Sequence, residues 1–331
     1  YAMMLAAQLK ERMFEVEKEV KKVFKPRLVD IKKVLPKLKK DGTLSKSGLT
    51  TEEYDYLISA NLTEFKPFMR KKLQDFNLGS RKQIGEYLTD LGWKPNRFTP
   101  TGQPVVDEGS LSKVKNIPEA KLIAEFLLLQ KRIAQIDSWI LAVQEDNRVH
   151  GFVIPNGTIT GRMAHRAPNV AQVPSTSSQY GAECRACWIV KDGYKLLGVD
   201  ASGLELRMLA HYMNDEEYTN EVTNGDIHTA NQKAAGLKSR DQAKTFIYAF
   251  IYGAGDAKIG SVVGGGKRLG AELKKRFLDN NPSLKTLRDR VSQAAKRGYL
   301  KGLDGRKIFI RNEHAALNSL LQGGGAIVMK R

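Results

Sequence analysis

The hydrophobic period changes three times along the 331 residues, and the order of those changes limits the fold more than any other feature. From Ala2 to Phe24, Met, Leu, Phe and Val recur among charges at helical spacing and predict one long helix. Thr50 to Ala60 opens on Thr50 as N-cap with Glu53 three residues on, the pattern of a capping box. Gly79 to Trp93 predicts a short helix. Lys94 to Gly109, rich in Pro, Gly and Thr, reads as a connector. Pro118 to Val143 is strongly amphipathic through Leu122, Ile123, Phe126, Leu129, Ile133 and Ile136. The period then shortens. Val149 to Ile154 is strand-like, and Trp188 to Val190 and Leu196 to Val199 predict two strands around the Asp192-Gly193 hairpin signal. Helical spacing returns from Leu204 to Asn281, broken by glycines. Leu300 to Arg311 reads as a hairpin turning at Asp304-Gly305, and Ala315 to Arg331 as a helix that carries Gly323, Gly324 and Gly325. Helical, mixed, helical and mixed stretches in that order predict an α+β fold without internal repeats.

Charge narrows the partner. Lys and Arg number 54 against 36 Asp and Glu, a net +18, which points to a polyanion, nucleic acid first and an anionic membrane second. Between Lys18 and Lys40 stand ten Lys/Arg and two acids, interrupted by Pro26 and Pro36. That segment reads either as a solvated flexible surface or as a phosphate-gripping arm. No apolar run is long enough to span a bilayer and no secretory signal pattern appears, so the expectation is no membrane. Two cysteines, Cys184 and Cys187, cannot build a disulfide framework, and a reducing, cytoplasmic setting is expected.

Two constellations carry chemistry. Leu196-Leu197-Gly198-Val199-Asp200 predicts a strand ending on a carboxylate, with a helix opening at Leu204-Glu205. A carboxylate held at a strand end is a good hard-cation ligand, and a helix-capping Asp is the plainer alternative. The second runs from Ser239 to Gly253. Arg240, Lys244, Tyr248 and Tyr252 stand four residues apart, so they form one slowly drifting stripe, with Lys244 about 6 Å along the axis from Arg240. Two cations followed by two aromatics fit the phosphates and then the sugar and base of a nucleotide, although a solvated basic edge would look similar. Ala243, Phe246, Ile247 and Phe250 fill the opposite face.

Together the two segments resemble those of the family A, DNA polymerase I-like nucleotidyltransferases, in particular the replicative enzymes of short-tailed phages. Asp200 to Arg207 looks like motif A and Arg240 to Gly253 like motif B. Further similarity lies in Thr160-Gly161-Arg162 with Pro168 to Pro174, in Phe76 to Gln83, in Asp226-Ile227-His228, in Gly302 to Arg306 and in Leu317 to Gln322. The resemblance implies a right-hand polymerase fold with a helical thumb, a partial antiparallel palm sheet and helical fingers. It assigns the thumb to 1–145, with a candidate insertion at 25–75; the first part of the palm to 146–210; the fingers to 211–298; and a second, truncated part of the palm to 299–331.

What the resemblance implies chemically is template-directed transfer of dNMP to a primer 3′-hydroxyl with two Mg²⁺ ions. Asp200 and the Ala201 carbonyl would ligate metal. Arg240, Lys244 and His228 would hold the triphosphate, with Lys244 also a proton donor to the leaving group. Tyr248 and Tyr252 would lie along the dNTP, and Glu205 would block a 2′-hydroxyl. Arg162, Asn169, Gln172, His314, Asn318 and Gln322 would contact primer–template DNA. The family's second palm carboxylate sits on a His-Asp-Glu hairpin, and no His-Asp-Glu occurs in this sequence. The resulting expectation is a split polymerase whose second polypeptide carries that hairpin, with a separate exonuclease chain and a processivity factor as further candidate partners. A non-catalytic DNA-binding or clamp subunit and a single-subunit RNA polymerase are the rivals. Retained Asp200, Lys244 and Tyr248 argue against the first, and Glu205 argues against the second.

The remaining signals read as structural. Cys184-Arg185-Ala186-Cys187 lacks two further zinc ligands nearby. Gly253-Ala254-Gly255 and Gly264-Gly265-Gly266-Lys267 miss the phosphate-loop spacing and read as helix breaks. Trp93 and Trp139 are expected to pack, and His150, His165 and His211 to be satisfied structural histidines.

Overall fold

A computed structural model describes residues 1–60 and 65–331, so residues 61–64 of the candidate insertion lie outside it. The chain divides into two compact units, Tyr1–Val143 with Pro174–Cys187, and Gln144–Val173 with Trp188–Arg331.

The first unit is built on two long helices, α1 (Ala2–Val23) and α5 (Glu119–Leu141), which pack along each other. Leu5, Leu9, Val16 and Val20 of α1 and Ile123, Leu129, Ile133 and Ile136 of α5 are buried, following the apolar spacing read from the sequence. Lys10 reaches Asp137 at 3.1 Å and Arg12 reaches Glu125 at 2.8 Å across the pair. Between them come β1 (Arg27–Val34), α2 (Thr51–Ser59), β2 (Phe68–Gln74), α3 (Arg81–Asp90) and the short α4 (Glu108–Leu111). A last helix, α6 (Gly181–Ala186), closes the unit. Phe24, Phe76 and Tyr87 cluster with ring centroids 4.6–5.3 Å apart, and the Tyr87 hydroxyl donates to the Lys25 carbonyl.

The capping box at Thr50 is formed as expected. The Thr50 hydroxyl accepts from the Glu53 amide at 3.2 Å, and the Glu53 carboxylate accepts from the Thr50 amide at 2.8 Å. The same carboxylate takes two hydrogen bonds from the Arg70 guanidinium, which tethers α2 to β2. Thr50→Ala is therefore expected to lower the unfolding free energy by about 1 kcal/mol, read as a shift of the denaturant midpoint.

The segment after Lys25 holds a strand where one reading of the sequence expected a flexible surface. β1 and β2 form an antiparallel ribbon in which Leu28 faces Leu73, Asp30 faces Lys71 and Lys32 faces Arg70. The register shifts between Asp30 and Lys32, which breaks the period-two alternation that would have marked β1 as a strand.

The second unit contains β3 (Phe152–Ile154) paired antiparallel with β4 (Ala164–Arg166), then α7 (Leu204–Met213), α8 (Glu216–Thr223), α9 (Ile227–Ala235), α10 (Arg240–Ile251), α11 (Asp256–Val262), α12 (Lys267–Asp279) and α13 (Pro282–Ala295). The antiparallel pair β5 (Tyr299–Lys301) and β6 (Lys307–Phe309) turns at Asp304-Gly305, and α14 (Ala316–Lys330) follows. One core joins α7 to α14; in it Phe246 and Phe250 of α10 meet Phe277 of α12 edge-on at 5.1 and 5.3 Å. The glycines of α14 are points of close approach. A Cβ on Gly323 would lie 2.6 Å from Ile308, one on Gly324 2.7 Å from Met208, and one on Gly325 3.1 Å from Leu204. The side-chain-free stripe lets α14 settle against β6 and α7.

One expectation fails here. Trp188 to Val190 and Leu196 to Val199 are not strands. The turn is present, with Tyr194 N–H donating to the Lys191 carbonyl at 3.0 Å, but its flanks do not pair as strands. Ile189, Leu196, Leu197 and Val199 are more than four-fifths exposed. Consecutive apolar residues suit a strand covered on both faces. Among the described residues no strand lies beside Leu196 to Val199, so Asp200 follows irregular, unladdered backbone instead of a strand end.

Candidate active site

The stripe predicted on α10 exists. Ser239 caps the helix, its hydroxyl accepting from the Gln242 amide at 3.2 Å, and the apolar face of Ala243, Phe246, Ile247 and Phe250 is buried. That burial turns Arg240, Lys244, Tyr248 and Tyr252 toward the opposite side. The Tyr248 and Tyr252 rings lie 6.3 Å apart, and the His228 ring lies 6.4 Å from Tyr248. Lys244 is exposed and makes no ion pair among the described residues. An exposed ammonium with no internal anion is available to an external one.

His228 stands on the first turn of α9. Burial, reinforced by the positive charges of Arg240 and Lys244 against the opposing Asp226, holds its imidazole below the ordinary value, so the ring is neutral at pH 7. Its Nδ1 is buried without a hydrogen-bond partner among the described residues. Asp226, just before α9, accepts from Arg240 Nε at 2.7 Å and from Nη2 at 3.1 Å. The Arg240 guanidinium holds that carboxyl far below the usual carboxylate range. Sequence reasoning took only the histidine from Asp226-Ile227-His228 and missed the aspartate. Its one signal was a helix-capping position fourteen residues before an arginine.

Past the tyrosines the site turns acidic. Glu205, half-buried on the first turn of α7, acts on both phenols: burial, then the Glu205 charge, pushes Tyr248 and Tyr252 above the usual tyrosine range. Both therefore keep their protons at neutral pH and are hydroxyl donors. Glu205 also lines a cavity of about 330 Å³ with Arg162, Met163, Leu204, Leu321, Gln322, Gly325, Ala326, Met329 and Lys330. Three residues assigned separately from sequence, Arg162, Glu205 and Gln322, thus share one wall-to-wall space. The order across the site is cation, imidazole, cation, two phenols, carboxylate, then a cavity.

The other assigned residues stand on turns, on irregular backbone and on α14. Asn169 is exposed ahead of a single 3₁₀ turn, Val170–Gln172. His314 is exposed on another such turn, with its carbonyl against Gly253. Asn318 is half-buried on α14, and its Oδ1 accepts no hydrogen bond among the described residues. Asp200 is exposed, with no hydrogen bond or ion pair among the described residues. No group of three or more His, Cys, Asp or Glu able to hold a metal occurs among them. Asp200, expected with the Ala201 carbonyl to ligate Mg²⁺, belongs to no such group among the described residues.

The weaker signals sort by packing. Burial pushes the Cys184 and Cys187 thiols up, away from thiolate chemistry. His150 pairs with Asp146 at 2.8 Å, whereas His165 Nδ1 is buried with no partner among the described residues, so His165 is not fully satisfied as expected. Asp215 caps α8 and accepts from the Ser283 hydroxyl at 2.7 Å.

Residues 50–331 match the pattern of DNA polymerase family A, and the chain belongs to that family. It is 47% identical over 290 residues to the DNA-directed DNA polymerases of Enterobacteria phage T3 and Escherichia phage T7, covering 77% of this chain and 41% of each relative. The DNA-directed DNA polymerase of Escherichia phage Phieco32 is 32% identical over 373 residues, covering 81% of this chain and 60% of that one. The chain thus spans about two-fifths of the length of the phage T3 and T7 relatives. The polymerase domain of Pol1 from M. smegmatis, solved with DNA primer–template and dNTP, has the same α+β fold, with a TM-score of 0.74 at 18% identity over 99% of this chain and 54% of that one.

Proposed function

We propose that this chain carries the nucleotide-binding part of a DNA-directed DNA polymerase active site. The primer 3′-hydroxyl gives up its proton to water, and its oxygen attacks the α-phosphorus of a dNTP. A new P–O bond forms, the bond to the β-phosphate oxygen breaks, and pyrophosphate leaves. The observation that carries this reading is the line from Arg240 through His228, Lys244, Tyr248 and Tyr252 to Glu205, with an ammonium and an imidazole nitrogen on it that have no partner among the described residues. Arg240, Lys244 and His228 bind the triphosphate, and Lys244 gives a proton to the departing pyrophosphate. Tyr248 and Tyr252 lie along the sugar and base. Glu205 repels a 2′-hydroxyl, so the sugar is deoxyribose. Arg162 and Gln322, beside the cavity, meet the primer–template duplex, as do Asn169, Gln172, His314 and Asn318. In this reading 1–145 is the thumb, 146–210 and 299–331 are palm, and 211–298 are fingers.

Mg²⁺, when bound, supplies positive charge to the phosphates. Asp200 and the Ala201 carbonyl are the ligands this chain offers. We place the second carboxylate on a segment outside these 331 residues. Primer extension by the purified chain, alone and with a complementing palm hairpin, tests this. Robust extension by the chain alone would refute the need for the hairpin. Incorporation of rNTP as readily as dNTP would remove the role of Glu205.

A pH dependence follows from His228. Its free-state pKa lies below about 6.5, and an arriving triphosphate raises it. Between the two values, nucleotide binding takes up a proton. Affinity for dTTP should therefore rise as pH falls through that window and level off below the free-state value. Calorimetry in buffers of different ionisation heat reads the uptake, which should vanish in His228→Gln.

A further inference from the structure

We propose that Asp226 is a positioning residue for nucleotide binding, acting through Arg240; this rests on the triphosphate reading above. One carboxylate organises two elements. Its oxygens accept from Arg240 Nε at 2.7 Å and Nη2 at 3.1 Å. They also accept from the His228 amide at 3.1 Å and the Thr229 hydroxyl at 2.8 Å. Four donors fill the roughly four lone-pair directions of a carboxylate, which fixes its own rotation. The guanidinium is held side-on, so Nη1 is the nitrogen left for an outside oxygen. The start of α9, which carries His228, is thereby tied to the start of α10, which carries Arg240.

Stability does not account for this arrangement. The two side chains are 52% and 43% exposed, and an ion pair so open to water contributes little to folding. What the pair does supply is orientation: a long, exposed arginine would otherwise sample many rotamers, and holding it in advance removes that ordering cost from nucleotide binding. Asp226 and the triphosphate do not compete, because they use different edges of the guanidinium.

The test is dTTP affinity, in Mg²⁺ buffer, for the chain on a primer–template whose primer ends in a dideoxynucleotide. Asp226→Asn keeps a helix cap of equal quality but turns one acceptor facing Arg240 into a donor. Asp226→Ser keeps a cap and cannot reach Arg240. Each should weaken dTTP binding about 10-fold, the effect of removing one charge-assisted hydrogen bond. Duplex affinity and the denaturant midpoint should not move. In an Arg240→Ala background the same substitutions should change dTTP affinity less than about twofold, since the residue acts through the arginine. Equal losses in both backgrounds, or no loss in the presence of Arg240, would overturn the proposal. Lys244→Ala separates it from the underlying reading. If neither Lys244→Ala nor Arg240→Ala weakens dTTP binding, the triphosphate reading itself falls and this inference falls with it. If both weaken it and Asp226→Asn does not, only the inference fails.

Discussion

Asp200→Ala is expected to lower nucleotide incorporation by about 10³-fold or more, in whichever assembly extends primers, while duplex affinity changes less than about twofold. The two halves of that expectation rest on different facts. Asp200 is exposed and bonded to nothing among the described residues, so its removal exposes no apolar surface and orphans no donor. Surface substitutions of that kind stay within about 0.5 kcal/mol of wild type. Its only proposed work is to hold positive charge beside the reacting phosphate. In the proposed reading duplex grip comes instead from the basic surplus and from residues such as Arg162 and Gln322. Primer extension and fluorescence anisotropy of a labelled duplex read the two quantities separately. A variant retaining a tenth of wild-type incorporation would remove Asp200 from the chemistry and return the chain to the DNA-binding reading.

Gly253→Ala should be among the most damaging single-methyl changes in the second unit, lowering stability by about 3–4 kcal/mol. Gly253 ends α10 at φ +73°, and a Cβ there would stand 2.0 Å from the His314 carbonyl oxygen. That oxygen is backbone, so it cannot rotate aside as a side-chain tip would. Gly264 isolates the conformational part of the cost. Its φ is +75° with nothing within 4 Å of a Cβ, so Gly264→Ala should cost only the left-handed strain, about 1 kcal/mol. The difference between the two denaturant midpoints measures the steric clash alone. Because Gly253 follows Tyr252 directly, the Gly253 variant should also lose dTTP affinity at temperatures where it is still folded. Equal midpoints for the two variants would show that the His314 carbonyl yields.

The helices were legible wherever one face was apolar and the ends were marked: Thr50 with Glu53, Ser239 before Arg240, Gly253 after Tyr252. These signals are local, and local hydrogen bonds and burial decide them. The β1–β2 ribbon was not legible, because its register shift breaks alternation and lysines occupy both strands. The run Leu196 to Val199 misled in the opposite direction. It has strand composition, but a strand also needs a partner, and composition cannot supply one. Asp226 was read past for a related reason: its carboxylate matters through an arginine on the next helix.

Sequence by itself determined the order of elements, the basic surplus, and the stripe of Arg240, Lys244, Tyr248 and Tyr252, since helical geometry alone brings residues four apart onto one side. Tertiary structure decided which charges stay free. Arg240 and Lys244 are equivalent on a helical wheel, yet one is engaged by Asp226 and the other faces solvent with no ion pair among the described residues. The physical reason is range: backbone periodicity acts over a few residues, whereas electrostatic pairing depends on which side chains packing has brought within a few ångströms.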